Sequence, residues 1–158
     1  MTFNDIEDIK KAGFIGFKKM NDLFLDSSML PDSNGVYLVL NDDNKPADFL
    51  AIGSGGHFKG KNPNVSLTEL KSKWVDNTKV VYIGKATSLK SRLRQYFGFG
   101  QGKNIGHYGG RLIWQLRYSK DLVVCWKALT TDPRELEIDL IKQFVSIYGR
   151  RPFANLKD

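Results

Sequence analysis

Residues 79–97 read KVVYIGKATSLKSRLRQYF, a strand pattern that passes directly into a helix pattern. The run KVVYI at residues 79–83 is rich in the β-branched and aromatic side chains that strands favour, and turn residues bound it. Beyond it Leu89, Leu93 and Phe97 recur at helical spacing, which predicts a helix over residues 88–97. The segment therefore predicts a strand followed by a helix.

Two further segments have the same strand composition, GVYLVL at residues 35–40 and LVVCWKAL at residues 122–129. Weaker patterns suggest a short strand at residues 49–52, and short helices near residues 67–74 and 109–117. The first thirty residues are ambiguous, because GFIGF can be extended whereas KKMNDLF can be helical.

The longest helix is predicted from Pro133 to about residue 148. Asp132 can cap it, Pro133 suits its first position, and Glu135 stands three residues after the cap, as in a capping box. This combination is a strong signal for a helix start.

One carboxylate of this helix falls on its apolar face. With Leu136 at zero and about 100° per residue, Glu137 lies near the centre of that face, whereas Glu135 and Asp139 lie opposite. The apolar face comprises Leu136, Leu140, Ile141, Phe144, Ile147 and Tyr148. A buried, unpaired carboxylate costs several kcal/mol, so Glu137 requires a partner. Two explanations stay open: an ion pair with an arginine, or ligation of a divalent cation in a cleft where the helix begins.

The positive charge is concentrated in one part of the chain. The 158 residues suit one compact domain and carry a net charge of +7. Residues 77–120 contain nine lysines and arginines and no Asp or Glu, so the excess lies there. Such a segment favours a polyanionic partner, although a solvated basic face without a partner is the alternative.

Composition also limits the environment of the protein. No apolar run approaches the roughly 20 residues of a membrane helix, and Asp5, Glu7 and Asp8 do not suit a signal peptide. Cys125 is the single cysteine, which excludes an internal disulfide. We therefore expect a cytoplasmic protein with no membrane partner.

Several ordered features of the chain resemble the GIY-YIG nuclease family. Residues 35–37 (GVY) and 82–84 (YIG) match its two opening elements, and Arg92 takes the family's arginine position on the following helix. Glu137, within ELEIDLIKQF, matches the glutamate, and Asn155, within RPFAN, matches the asparagine. The family includes the nuclease that makes the first incision in bacterial excision repair.

The resemblance implies an α+β domain with a small central three-stranded antiparallel sheet flanked by helices. It covers residues 32–158, with a long insertion or lid at about residues 41–78 where relatives have a short connection. Residues 1–31 are then an N-terminal extension packed on the domain.

The resemblance also implies catalytic roles. Glu137 would be the ligand of one Mg²⁺ or Mn²⁺ ion, Tyr37 would activate or position the attacking water, and Arg92 would stabilise the charged phosphate. Tyr82 would orient the water or the metal shell. A tyrosine acts as a base only if its pKa, about 10 in isolation, is lowered by the metal or by a cation such as Lys85.

Other residues are expected to bind the substrate. Arg92 and Tyr96 are one helical turn apart and could meet the same phosphate, whereas Lys90 and Arg94 share another face and suit flanking phosphates. The complete set of expected substrate contacts is Lys85, Lys90, Arg94, Tyr96, His107, Arg111 and Asn155.

We therefore expect a metal-dependent endonuclease that hydrolyses phosphodiester bonds in nucleic acid, with DNA preferred. The alternative is a non-catalytic nucleic-acid-binding module with the same fold.

Overall fold

A four-stranded antiparallel sheet forms the centre of the protein, in a computed structural model that describes residues 1–106 and 109–156. The strand order is β1-β4-β2-β3, and every neighbouring pair is antiparallel. The strands are β1 (Ile15–Lys19), β2 (Gly35–Leu40), β3 (Val80–Ala86) and β4 (Val123–Ala128). The helices are α1 (Ile6–Lys11), α2 (Met20–Leu25), α3 (Leu67–Lys73), α4 (Leu89–Gly100) and α5 (Pro133–Tyr148). The α+β class expected from the sequence is confirmed.

The expectation of three strands was wrong, because the N-terminal segment supplies a fourth. Strand β1 pairs with β4 through a register shift between Gly16 and Lys18. Gly16 and Phe17 both have positive φ, 98° and 55°, and a side chain on Gly16 would collide with the Trp126 ring. This irregular backbone breaks the alternation that identifies a strand in sequence. Residues 1–31 therefore contribute to the sheet as well as packing against it.

The central strand β2 is buried on both faces and separates two apolar cores. Tyr37 and Val39 face the first core, which contains side chains of α2 and α4. Val36 and Leu38 face the second, which contains side chains of α1 and α5. The period of two along a strand produces this division.

Helix α5 begins at its predicted cap, Asp132, and α4 begins after a capping Ser88. The Ser88 side chain accepts a hydrogen bond from the main chain of Ser91, and Asp132 accepts one from Arg134. Helix α5 ends at Gly149, whose left-handed φ of 74° favours glycine. The predicted helix near residues 109–117 is a short 3₁₀ helix, Arg111–Gln115.

The segment of residues 41–78 packs against the first core. The strand predicted at residues 49–52 was wrong: only Phe49 forms a bridge, to Leu116, and Ile52 is exposed. The Phe49 and Trp74 rings pack against Phe153, with centroids 5.6 and 5.3 Å away.

The buried Gln115 side chain ties this segment together. Its amide nitrogen donates to the carbonyls of Leu50 and Val65, and its oxygen accepts from the Val65 N–H at 2.9 Å. The segment is therefore bound to the domain by polar contacts as well as by aromatic packing.

Among the described residues, no helix combines the length and the apolar character needed to cross a bilayer.

We predict that Gly100→Ala destabilises the protein, although alanine is the better helix former. A Cβ at Gly100 would lie 2.4 Å from three ring atoms of the buried Trp114. Overpacking of this kind costs about 1–3 kcal/mol, more than the gain of about 1 kcal/mol in helix propensity. Urea denaturation should show a lower free energy of unfolding.

Gly98→Ala, in the same helix, is the matched control. Its Cβ would meet the flexible end of Ile105 at 2.8 Å, which can move aside. Equal stability of the two variants would contradict the packing of Trp114 described here.

Candidate active site

Two tyrosines lie side by side on the face of the sheet that α4 covers. In the β2–β3 ladder Tyr37 is opposite Gly84 and Tyr82 is opposite Val39, so the tyrosines are diagonal neighbours. Their ring centroids are 5.9 Å apart in an edge-to-face arrangement. Only 1% of Tyr37 and 8% of Tyr82 is exposed.

Gly84, two residues after Tyr82, has no side chain, and the Tyr37 ring occupies the space that a side chain would fill. A Cβ on Gly84 would be 2.3 Å from Cζ of Tyr37 and 2.5 Å from its hydroxyl oxygen. The Tyr37 ring therefore lies across β3 at Gly84, which places its hydroxyl towards the outer edge of the sheet. Any larger residue at position 84 would displace the phenol.

The partly buried carboxylate of Glu137 reaches the same edge from α5. Its Oε1 lies 3.2 Å from Nζ of Lys85, and the Glu137 side chain is 16% exposed. The partner that the sequence could not identify is thus a lysine rather than an arginine. Leu140, Ile141 and Phe144 are buried as the helical pattern predicts.

The assignment of Ile147 to the buried face of α5 was wrong. Ile147 is 54% exposed, whereas its neighbour Tyr148 packs against the second core, so Ile147 lies at the solvent edge of the apolar face.

Arg92 approaches the tyrosines from α4. It is half-buried, and its Nη1 lies 3.5 Å from the Gln95 side-chain oxygen. It lines the same space as Tyr37 and Tyr82, and its positive charge opposes the rise in the pKa of both phenols. Within the described parts of the chain, no acid forms a salt bridge with Arg92. This guanidinium is therefore available to an anion.

A cleft of about 720 Å³ unites these side chains. It is lined by Tyr37, Tyr82, Lys85, Arg92 and Glu137, which come from β2, β3, α4 and α5. A second space of about 550 Å³ shares Tyr82, Lys85 and Glu137 with the first and adds Arg111 and Asn155. The two spaces are therefore neighbours that share these three side chains at β3 and α5.

Burial keeps both phenols protonated. Removal from water raises the pKa of Tyr37 well above its ordinary value, the neighbouring Tyr82 adds to this, and Arg92 opposes it. Burial also raises the pKa of Tyr82, which its hydrogen bond with Tyr37 and the charge of Arg92 partly offset. The groups of the protein itself therefore raise, rather than lower, the pKa of Tyr37.

Tyr96 and Asn155, both expected substrate contacts, make hydrogen bonds to the main chain. Tyr96 is fully buried, and its hydroxyl donates to the carbonyl of Gly110 at 2.7 Å, so the phenol is not placed to meet a phosphate. Asn155 binds both main-chain groups of Ile83, each at 2.9 Å. It closes the outer edge of β3 beside Tyr82.

Two further expected contacts, Lys90 and Arg94, do not line the cleft. Lys90 and Arg94 line a separate groove on the other side of α4. His107 lies outside the described residues.

Sequence reasoning missed several residues that line the cleft. Arg134 and Thr130 join it because the start of α5 approaches the end of β3, and Asn34 joins it from the turn before β2. No spacing in the sequence encodes these tertiary approaches. The basic Arg134 increases the positive character of the cleft.

The donor atoms of the cleft suit a hard, hydrated cation. In residues 1–106 and 109–156, no cluster of three or more His, Cys, Asp or Glu side chains is found. Mg²⁺ usually keeps several waters and uses one or two carboxylates, a demand that Glu137 in an open cleft can meet. A structural zinc site, which needs four protein ligands, does not fit.

Comparison with known proteins identifies one partial relative. The chain is 36% identical over 74 residues to UvrABC system protein C of Nautilia profundicola. The match covers 47% of this chain and 12% of that protein. No protein-family model matches the chain, and no solved structure matches it.

We predict that Asn155→Ala loosens the edge of β3. The variant leaves the N–H and C=O of Ile83 without their partner, which should lower the free energy of unfolding by about 1–3 kcal/mol. Amide hydrogen exchange should be faster at Ile83 in particular.

Asn41→Ala is the control, because Asn41 makes the same pair of bonds to the main chain of Lys45, away from the cleft. Equal exchange at Ile83 in the two variants would show that Asn155 does not hold this edge.

Proposed function

We propose that this protein is a GIY-YIG-type endonuclease that hydrolyses phosphodiester bonds in DNA with one divalent metal ion. The observation that carries the proposal is the convergence of Tyr37, Tyr82, Arg92 and Glu137 in one cleft, from four separate elements. These are the residues that the family resemblance selects. The partial match to UvrABC system protein C supports a nuclease role of the excision-repair kind.

Glu137 would hold the metal ion, with water completing the shell. A bound Mg²⁺ or Mn²⁺ supplies a Lewis acid for a phosphoryl oxygen and lowers the pKa of water. Lys85 now neutralises the Glu137 carboxylate, 3.2 Å away, so its ammonium competes with an arriving cation. Once released, Lys85 is available to a phosphate oxygen in the same cleft.

Arg92 would stabilise the phosphate as it reacts. Its planar guanidinium presents several fixed donors, which suit the oxygens of a phosphodiester. Because no acid in the described residues neutralises it, its charge is available to the transition state.

The tyrosines would position the attacking water rather than deprotonate it. Both phenols keep their protons, because burial raises the pKa of each, and both side chains line the cleft. Hydrolysis forms a bond from the water oxygen to phosphorus and breaks the bond to the leaving oxygen, which gains a proton from the water. Neutral phenols suit the placement of that water by hydrogen bonds.

A nucleic-acid-binding module without activity is the second candidate, because one observation favours it. The Glu137 carboxylate already has a cation partner in Lys85, as a purely structural pair would. The two functions differ in whether the protein cuts DNA.

We expect the parent protein to cut plasmid, single-stranded or branched DNA with Mg²⁺ or Mn²⁺, and Glu137→Ala to reduce the rate by about 10²-fold or more. Binding of DNA should persist, because the basic residues remain. Glu135→Ala, on the exposed face of the same helix, is the control and should cut normally.

If the parent protein cuts none of these substrates but still binds DNA in a salt-sensitive manner, the protein is a binding module and not an enzyme.

We further predict that Lys85→Met strengthens the binding of Mg²⁺ or Mn²⁺. Removal of an ammonium group beside the carboxylate removes its competitor, and solvent screening limits the gain to about threefold to tenfold. Isothermal titration without nucleic acid measures this directly.

Lys10→Met removes the lysine of another Lys–Glu pair, on α1, and should leave the affinity unchanged. Equal or weaker binding by Lys85→Met would show that this lysine does not oppose the metal.

A further inference from the structure

A second groove, of about 770 Å³, lies between α2 and α4. It is larger than the space around the catalytic candidates and falls within the range of about 300–1,000 Å³ typical of ligand sites. One wall comes from α2, in residues 1–31, the part of the chain that the family resemblance does not cover. The side chains that matter are Phe24, Leu25, Lys90, Arg94 and Lys103.

The groove carries uncompensated positive charge. Lys90 and Arg94 are one turn apart on α4, and Lys103 follows the end of that helix, whose 12 residues span about 18 Å. In the described ranges none of the three forms a salt bridge with an acid. Asp32 also lines the groove, where its carboxylate accepts a hydrogen bond from the Ser88 hydroxyl at 2.5 Å. The groove therefore has a row of cations suited to an extended polyanion.

The opposite wall presents apolar surface to solvent. Phe24 is 38% exposed and Leu25 is 75% exposed, although both are large apolar side chains. An exposed aromatic ring beside unpaired cations is the combination that binds single strands, because the ring stacks on an unpaired base while the cations bind phosphates. In a duplex the base faces are already stacked and unavailable to such a ring.

Helix α4 forms the ridge between the groove and the catalytic cleft. Arg92 points into the cleft, whereas Lys90 and Arg94, each two residues away and so about 200° around the helix, line the groove. A strand that crosses this ridge meets Arg92 on one side and the groove cations on the other.

We propose that the groove between α2 and α4 binds a single-stranded segment of the nucleic-acid substrate, next to the segment held in the cleft. The placement of the scissile phosphate rests on the proposed nuclease function; the binding of a single strand does not. The substrate preferred by this arrangement has an unpaired strand adjoining the cleavage point, as at a flap or a junction.

The test measures binding by fluorescence anisotropy of labelled single-stranded and duplex oligonucleotides, without divalent metal so that cleavage is irrelevant. Lys90→Ala combined with Arg94→Ala should weaken single-strand binding about tenfold or more. It should also reduce the slope of log K against log[salt] by about 1.4, since each lost phosphate contact contributes about 0.7.

Phe24→Ala separates this proposal from a general basic surface. Loss of one stacked base should weaken single-strand binding about fivefold or more and leave duplex binding unchanged. Leu25→Ala, at a more exposed position, gives a second variant of the same wall whose folding is not at risk. Removal of two exposed lysines elsewhere, Lys71→Ala with Lys142→Ala, is the matched charge control and should have little effect.

The outcomes separate the two proposals. If the groove variants lose single-strand binding while no protein cuts DNA, the groove stands and the nuclease function fails. If Glu137→Ala abolishes cutting but the groove variants bind single strands normally, the nuclease function stands and the groove proposal fails. Two results would overturn the groove proposal. One is that Phe24→Ala weakens duplex binding as much as single-strand binding. The other is that the protein binds anionic phospholipid vesicles more tightly than single strands and that the groove variants abolish this binding.

Discussion

The burial of β2 on both faces is the constraint on which the rest of the protein depends. This strand pairs with β3 on one side and β4 on the other, and its alternate side chains enter two different cores. A slip of one residue would move Tyr37 from the first core to the second, and it would exchange the cores of all the other side chains of the strand as well. The register is therefore firmly specified, and the position of the first catalytic candidate is specified with it.

The cleft forms where the two cores meet around an edge strand. Strand β3 has a strand neighbour on one side only, and Tyr37 reaches across it over the bare backbone of Gly84. The carboxylate of Glu137 comes from α5, which packs on the other core, and it forms an ion pair with Lys85 of β3. The edge is closed elsewhere by Asn155, which completes the hydrogen bonds of Ile83 where a further strand would otherwise be needed.

Local pattern and ordered motifs predicted the parts of this arrangement that depend on neighbouring residues. Strands β2, β3 and β4 and helices α4 and α5 follow from composition and spacing, and the structure brings Tyr37, Tyr82, Arg92 and Glu137 together. Strand β1 stayed ambiguous in the sequence because positive φ angles interrupt it. The burial of Tyr96 was missed because helical spacing shows which residues share a face but not which face the core covers. The hydrogen bonds of Asn155 to Ile83 depend on the tertiary packing of the C-terminal segment beside β3, which residue spacing does not predict.

The division of the candidate catalytic groups between two cores makes the cleft a property of the whole domain. The tyrosines belong to the first core and α5 to the second, so a partly folded chain that has formed only one of them has no assembled site. Glu137 also comes late in the chain and is synthesised after both tyrosines. For the proposed nuclease, this order of synthesis means that a nascent chain on the ribosome cannot cut nucleic acid until α5 has packed against the sheet.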